Sequence, residues 1–101
     1  MYSMNNKFMP SPQVLARIAE AFSENDMIKK THMHFASRTD WNSFEKYLKW
    51  MQDKNYIEYH NSNENAYKLT NEGREIFNTI TNLYDNIKKF QSLLTPDIRS
   101  F

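Results

Sequence analysis

Two short runs of alternating apolar and polar residues, joined by a polar tip and followed at once by a helical pattern, limit the fold more than any other feature. The runs are "YIEYH" and "AYKLT", and "NSNEN" separates them. Alternation with period two is typical of half-buried strands, and Asn and Ser favour turns because they bond their own backbone. We therefore expect an antiparallel hairpin with its tip near residues 62–65, and Thr70 as the cap of the helix that follows.

The first third of the chain predicts two helices. The first begins after Ser11, a favourable N-cap, with Pro12 at its first position, and apolar residues then recur at helical spacing. The "MIKK" segment is too short to assign and is either an edge strand or a connector. "THMHFAS" predicts a short second helix with Thr31 as its cap and with Phe35 and Ala36 facing inward.

A third helix is predicted for "WNSFEKYLKWMQDKN", with Asp40 as its cap and Asn55 as its stop. One apolar stripe at offsets of three, four and three is expected to face the core: Trp41, Phe44, Leu48 and Met51. The opposite face then carries four polar residues: Asn42, Ser43, Lys46 and Lys49.

The order of these elements is that of a helix-turn-helix followed by a wing. In that geometry the second helix of the pair enters the major groove of DNA. Asn bonds adenine edges and Lys bonds guanine edges or phosphates, so the expected contacts to bases come from Asn42, Ser43, Lys46 and Lys49. Lys30 and Arg38 are expected to contact phosphates. The alternative is that these residues are only the solvated face that any surface helix presents.

Composition limits the remaining classes of function. The chain has 101 residues, a net charge of +1, no Cys and a single Gly, Gly73. Disulfides and Cys-based zinc sites are excluded, and a phosphate-binding loop is not expected because such loops need several Gly residues. His32, His34 and His60 lack the spacing of a metal site. We therefore expect no cofactor, no metal and no enzymatic activity. We also expect no membrane segment and a cytoplasmic location.

Residues 11–77 resemble the archaeal winged helix-turn-helix family often called ArnR-like. The resemblance rests on "VLARIAEAF", "FASRTDWNSFEKYLKWMQDKNYIEY" and above all "AYKLTNEGREIF". It departs at Asn55, where the family commonly has Gly, and at the wing tip, which has Glu64 and no cation. The resemblance implies a DNA-binding transcription regulator without a cofactor or catalytic residues.

The last helix has the strongest periodicity in the chain. Its apolar residues are spaced four, three, four, three and four apart: Ile76, Ile80, Leu83, Ile87, Phe90 and Leu94. This 3.5-residue repeat is typical of a coiled coil. A helix of about 25 residues is roughly 37 Å long, which is longer than a small winged core can cover. We expect its second half to pair with another chain; the alternative is packing on the first helix of the same chain.

This arrangement is similar to the ten-kilodalton chromatin-type winged-helix proteins of Sulfolobus, whose long C-terminal helices form a dimer. That resemblance implies a homodimer with Leu83, Ile87, Phe90 and Leu94 at the seam. Whether the two helices are parallel or antiparallel stays open.

Together these patterns predict a mainly α fold with a small β-hairpin, a winged helix-turn-helix plus a long C-terminal dimerisation helix. The expected divisions are a flexible 1–9, a winged domain at 10–75, a dimerisation helix at 76–95 and a tail at 96–101. The expected function is binding of double-stranded DNA by a homodimer that regulates transcription. The alternative is a winged-helix module that binds another protein and no DNA. Glu45 and Asp53 would favour this alternative if their carboxylates interrupt the positive face of the third helix.

Overall fold

The computed structural model describes residues 8–60 and 65–94, which form four helices and a three-stranded antiparallel sheet. In chain order the elements are α1 (Pro12–Glu24), β1 (Met27–Lys29), α2 (Lys30–Ser37), α3 (Trp41–Asp53), β2 (Ile57–His60), β3 (Ala66–Leu69) and α4 (Asn71–Leu94). The predicted fold class is confirmed, since helices predominate and a hairpin precedes a long last helix. The "MIKK" segment, which the sequence left open, contains a strand.

The sheet joins β1, the strand that follows α1, to the hairpin of β2 and β3. Its strand order is β1-β3-β2, so β3 lies in the middle and pairs with both neighbours. Tyr67 on β3 is opposite Ile28 on one side and Tyr59 on the other. Residues 61–64, which include most of the expected tip, lie outside the described residues. Asn65, the last residue of the expected tip, has a left-handed backbone with φ 52°, a conformation that Asn tolerates.

The ends of α1 and α3 follow the local signals in the sequence. Pro12 occupies the first turn of α1, and Ser11 before it is extended, although its side chain makes no capping hydrogen bond. The Asp40 carboxylate caps α3 by accepting a hydrogen bond from the backbone N–H of Ser43 at 2.7 Å. Asn55 ends this helix with φ 63°, as a residue that tolerates the left-handed conformation does.

The start of α4 is fastened to the turn between α3 and β2. The Thr70 hydroxyl donates to the carbonyl of Asn55 at 2.6 Å and accepts from the N–H of Gly73 at 3.0 Å. The Thr70 backbone N–H donates to the carbonyl of Tyr56 at 3.0 Å. Thr70 therefore caps α4 as predicted, and it also fixes where the helix leaves the sheet.

The core lies between α1, α2, α3, the sheet and the first half of α4. Phe44, Ile18, Met33 and Met51 are its largest fully buried side chains. Phe22 of α1 meets Phe77 of α4 with ring centroids 6.4 Å apart. The first half of α4 thus packs on α1 of its own chain, whereas the alternative that the sequence left open concerned the second half of this helix.

The predicted inward position of Phe35 is wrong, because this ring is 79% exposed and Met33 is buried instead. The helix begins at Lys30 and its N-cap is Lys29, not Thr31. An eight-residue helix has too few apolar residues to fix which side faces the core, so its expected orientation was poorly determined. Ala36, also expected to face inward, does pack against the core.

The predicted burial of Trp41 is also wrong, since 41% of this side chain is exposed. Phe44, Leu48 and Met51 are buried as expected, and Tyr47 completes the inward face of α3. Trp41 is the first residue of the helix, and its ring contacts Phe44 of the core while part of it stays exposed.

The helix α4 is continuous over 24 residues, so the expected division between residues 75 and 76 falls inside it. Ile76 and Ile80 pack against the core, whereas Leu83 and the apolar residues after it are exposed. One helix therefore serves both the winged core and the surface beyond it.

Candidate nucleic-acid interface

The turn between α2 and α3 is a compact hydrogen-bonded unit. Arg38 has a left-handed backbone with φ 58°, and its N–H donates to the carbonyl of Phe35 at 3.2 Å. The hydroxyl of buried Ser37 donates to the carbonyl of His34 at 2.6 Å, and the His34 ring donates from Nε2 to the carbonyl of Thr39 at 2.9 Å. These bonds set the direction in which α3 leaves the turn.

The outward face of α3 carries Asn42, Lys46 and Lys49, all of them exposed. At 100° per residue these positions lie opposite the buried Phe44 and Met51. Ser43 is half-buried and its backbone N–H is taken by Asp40. Of the four residues expected to read bases, three therefore share the outermost line of the helix and Ser43 lies to one side of it.

The N-terminal end of α3 carries a stabilised negative charge. The hydrogen bonds from Ser43 hold the pKa of Asp40 below its ordinary value of 3.8, and the charge of nearby Lys46 acts in the same direction. A carboxylate in this position is favourable to the helix dipole. The exposed Lys46 lies close enough for its positive charge to act on this carboxylate.

Two of the predicted cations are paired with carboxylates of α3. The Lys30 ammonium lies 3.1 Å from the Glu45 carboxylate and 5.1 Å from the centroid of the Trp41 ring. The Lys49 ammonium lies 3.2 Å from the carboxylate of Asp53, one turn along the helix. Within residues 8–60 and 65–94, Lys46 and Arg38 make no ion pair.

An aromatic group borders α3 on the side of α2. Trp41 meets the His34 ring edge-on at 4.8 Å and the Phe44 ring at 5.5 Å. Phe35 lies beside His34, with the ring centroids 6.3 Å apart, and is 79% exposed. The sequence analysis did not assign Trp41 and Phe35 to the surface. Trp41 fits the apolar stripe of α3, and α2 is too short to define an apolar side for Phe35, so the sequence carried no clear signal for either position.

The hairpin adds aromatic and mixed-charge groups rather than a cluster of cations. Tyr59 is half exposed and packs on Tyr67 at 5.1 Å. Burial raises the pKa of the Tyr67 hydroxyl, and the charge of Lys30 opposes that rise. On the outer strand His60 lies 3.3 Å from the carboxylate of Glu58. The described part of the wing therefore offers hydroxyls and rings to a ligand, and little positive charge.

A groove of about 800 Å³ runs between α1 and α4 on another side of the molecule. Its walls carry charges of both signs, such as Arg17, Glu20, Arg74 and Asp85, above apolar residues that include Phe22. In the described residues no three His, Asp or Glu side chains are grouped as metal ligands. No described helix is long and apolar enough to span a bilayer.

The far half of α4 presents the predicted seam to solvent. Leu83, Ile87, Phe90 and Leu94 are between 37% and 63% exposed. They continue the side of the helix on which Ile76 and Ile80 pack against the core, since all are spaced three or four residues apart. Leu93 is more exposed still, but it lies one residue away from the seam and faces another direction.

The family of the chain follows from a comparison with models of known families. No curated protein matches the chain closely enough to count as a relative. A family model described as a winged helix-turn-helix matches residues 11–89, which is most of the chain and includes α1, the helix pair, the hairpin and most of α4. The turn at Arg38, the capped α3 and the hairpin packed behind it are the parts that give such a domain its name. The chain belongs to the winged helix-turn-helix family.

Proposed function

We propose that this protein binds double-stranded DNA, with α3 in the major groove. The observation that carries the proposal is the row of Asn42, Lys46 and Lys49 along the exposed line of α3, opposite the buried core face. Asn and Lys are residue types that bond base edges and phosphates. Ser43 takes part at the side of this row.

Lys30 and Arg38 contact the phosphates on either side of the groove. Arg38 is exposed at the turn before α3, and Lys30 begins α2 beside Trp41 and Glu45. Phosphate contacts fix the position and the direction of a protein on DNA, while base contacts select the sequence. A net charge of only +1 means that affinity depends on this local arrangement rather than on overall charge.

The protein acts as a homodimer through the exposed seam of α4. A row of large apolar side chains, Leu83, Ile87, Phe90 and Leu94, is costly in water, and pairing with the same row of a second chain removes it from solvent. A two-fold dimer presents two copies of α3, which suits two half-sites on DNA.

Regulation of transcription is the role that fits such a dimer, through occlusion of a promoter or through its architecture. The resemblance to the archaeal ArnR-like and Sulfolobus chromatin-type proteins supports this role and supplies the reason for expecting paired C-terminal helices. The described residues offer no grouped metal ligands, and the proposal involves no bond-breaking step.

The test is fluorescence anisotropy of the protein on random duplex DNA at two salt concentrations. The matched variants are Lys46→Ala/Lys49→Ala on α3 and Lys88→Ala/Lys89→Ala on α4, which remove the same charge. We expect affinity that falls with salt and falls further only in the α3 variant. Equal losses in the two variants, or no binding at low salt, would contradict the assignment of α3.

A second candidate function is binding of another protein through the same face. The ion pairs Lys30–Glu45 and Lys49–Asp53 interrupt the positive surface of α3, and exposed Phe35 and Trp41 are aromatic side chains of the kind that anchor protein interfaces. A protein that is dimeric and folded but does not bind duplex DNA at low salt would favour this candidate.

A further inference from the structure

Two carboxylates lie within the face that is proposed to meet DNA. Glu45 contacts the ammonium of Lys30 at 3.1 Å, and Asp53 contacts the ammonium of Lys49 at 3.2 Å. Both lysines belong to the set proposed to contact DNA. A phosphate that approaches either lysine therefore competes with a carboxylate already in place, and it meets that negative charge at short range.

We infer that Glu45 and Asp53 are specificity-determining residues, which restrain sequence-independent binding to DNA by holding Lys30 and Lys49 in ion pairs. The inference rests on the proposed function of α3. It adds that Lys30 and Lys49 are neutralised by carboxylates in the free protein, so that breaking these ion pairs costs free energy when DNA binds. A site that forms good base contacts with Asn42 and Lys46 offsets that cost, whereas random DNA does not.

The ion pairs weaken binding to random DNA because they reduce the positive charge that the phosphates meet. Sequence-independent affinity comes from neutralised phosphates and released counterions, and it changes steeply with their number. A lysine that is already neutralised by a carboxylate contributes less to this release. Base contacts are short-range hydrogen bonds, so masking weakens random binding more than it weakens binding to a matched sequence.

The two pairs differ in strength. Lys30 is held from two sides, by Glu45 and by the Trp41 ring, and both side chains of this ion pair are only about 40% exposed. Lys49 and Asp53 form an i,i+4 pair that is much more exposed, at 76% and 63%, and exposed pairs of this kind are weak. Glu45 is therefore the stronger restraint and Asp53 the weaker.

The experiment measures affinity for random duplex DNA over a range of salt concentrations with the full chain. The variants are Glu45→Gln and Asp53→Asn, which keep the side-chain shape and remove the charge. The matched controls are Glu20→Gln on α1 and Asp85→Asn on α4, which are both exposed and both line the groove between α1 and α4. Each control changes the net charge by the same amount as its test variant.

We expect Glu45→Gln to bind random duplex more tightly than the wild type and with a steeper salt dependence. One additional phosphate contact steepens the slope of log K against log salt by about 0.9. Between 50 and 200 mM salt, that corresponds to about a 3.5-fold greater loss of affinity. Asp53→Asn is expected to change the slope in the same direction by less, and the two controls are expected to match the wild type.

The outcomes separate this inference from the proposed function. If the wild type binds duplex DNA and Glu45→Gln behaves like Glu20→Gln, the masking is wrong while the DNA-binding role stands. If neither the wild type nor the variants bind at low salt, the role itself fails and the inference with it.

Discussion

The α-carbon of Gly73 lies directly against the backbone carbonyl of Tyr56, so that a Cβ on Gly73 would collide with that oxygen. This contact places the first turn of α4 on the turn that leads into the hairpin. The Thr70 hydroxyl bonds both segments, to the Asn55 carbonyl and to the Gly73 N–H. The single Gly of the chain is therefore needed for close approach between helix and hairpin, which explains why "LTNEG" was informative in the sequence.

Gly73→Ala should destabilise the protein by about 1–3 kcal/mol, as overpacking of a tight contact does. The direction of this change in stability is informative, because Ala is otherwise favoured over Gly inside a helix by roughly 1 kcal/mol. The free energy of unfolding from urea titration is the measurement. Glu75→Ala, two residues along on the exposed side of α4, is the control and should stay within about 0.5 kcal/mol of the wild type. A Gly73→Ala protein that gains stability would contradict the close contact.

Arg38→Gly should raise stability while it weakens DNA binding. A left-handed backbone costs a non-glycine residue roughly 1–2 kcal/mol, and Arg38 has φ 58°, whereas Gly adopts this conformation freely. The guanidinium proposed to contact a phosphate is lost at the same time. Arg38→Ala is the comparison, since it removes the same charge and keeps the strain. Thermal unfolding measures the stability of the three proteins, and anisotropy on duplex DNA measures their affinity. The account would be contradicted if both variants bound DNA as the wild type does.

The cap of α3 should make stability depend on pH in the acid range. The pKa of Asp40 is below its ordinary value of 3.8 in the folded protein, so its ionised form is favoured by folding. That contribution is present above the unfolded pKa and is lost as the pH falls through the lower folded pKa. The difference in unfolding midpoint between wild type and Asp40→Ala should therefore be largest above about pH 5 and should shrink towards pH 3. A difference that stays constant over this range would rule out the ionised cap.

Ile87→Asp should convert the proposed dimer into a monomer. Ile87 is in the middle of the exposed seam, and a charge there would be buried without a partner in a paired helix. Ser92→Asp adds the same charge on the other side of α4, so it should leave the dimer intact. Sedimentation equilibrium distinguishes one chain of 12.2 kDa from twice that mass. A wild-type protein that sediments as a single chain would remove the case for pairing.

The sequence predicted the long elements and their ends because those depend on local chemistry. Periodic apolar residues revealed α1, α3 and α4, and Asp40, Asn55 and Thr70 were assigned correctly as cap, stop and cap. The alternation of "YIEYH" and "AYKLT" indicated β2 and β3. These signals involve neighbours within four residues, or the period of one element, and need no knowledge of the tertiary structure.

The candidate site was harder to predict because it depends on contacts between elements. The sequence contains no sign that Lys30 of α2 meets Glu45 of α3, or that Trp41 covers that lysine from one side. The orientation of Phe35 was wrong because α2 is too short to have a clear apolar side. Lys49–Asp53 has the i,i+4 spacing of a helical ion pair, so it is the one ion pair of α3 that spacing alone predicts.

The claim that α3 is the surface for DNA is tested most directly by NMR titration of the ¹⁵N-labelled protein with a short random duplex. The account predicts that the largest changes in amide chemical shift occur in residues 38–53, above all at Asn42, Lys46 and Lys49, and that they decrease as salt is added. Changes confined to α1 and α4, or a spectrum that does not respond to DNA at low salt, would contradict it.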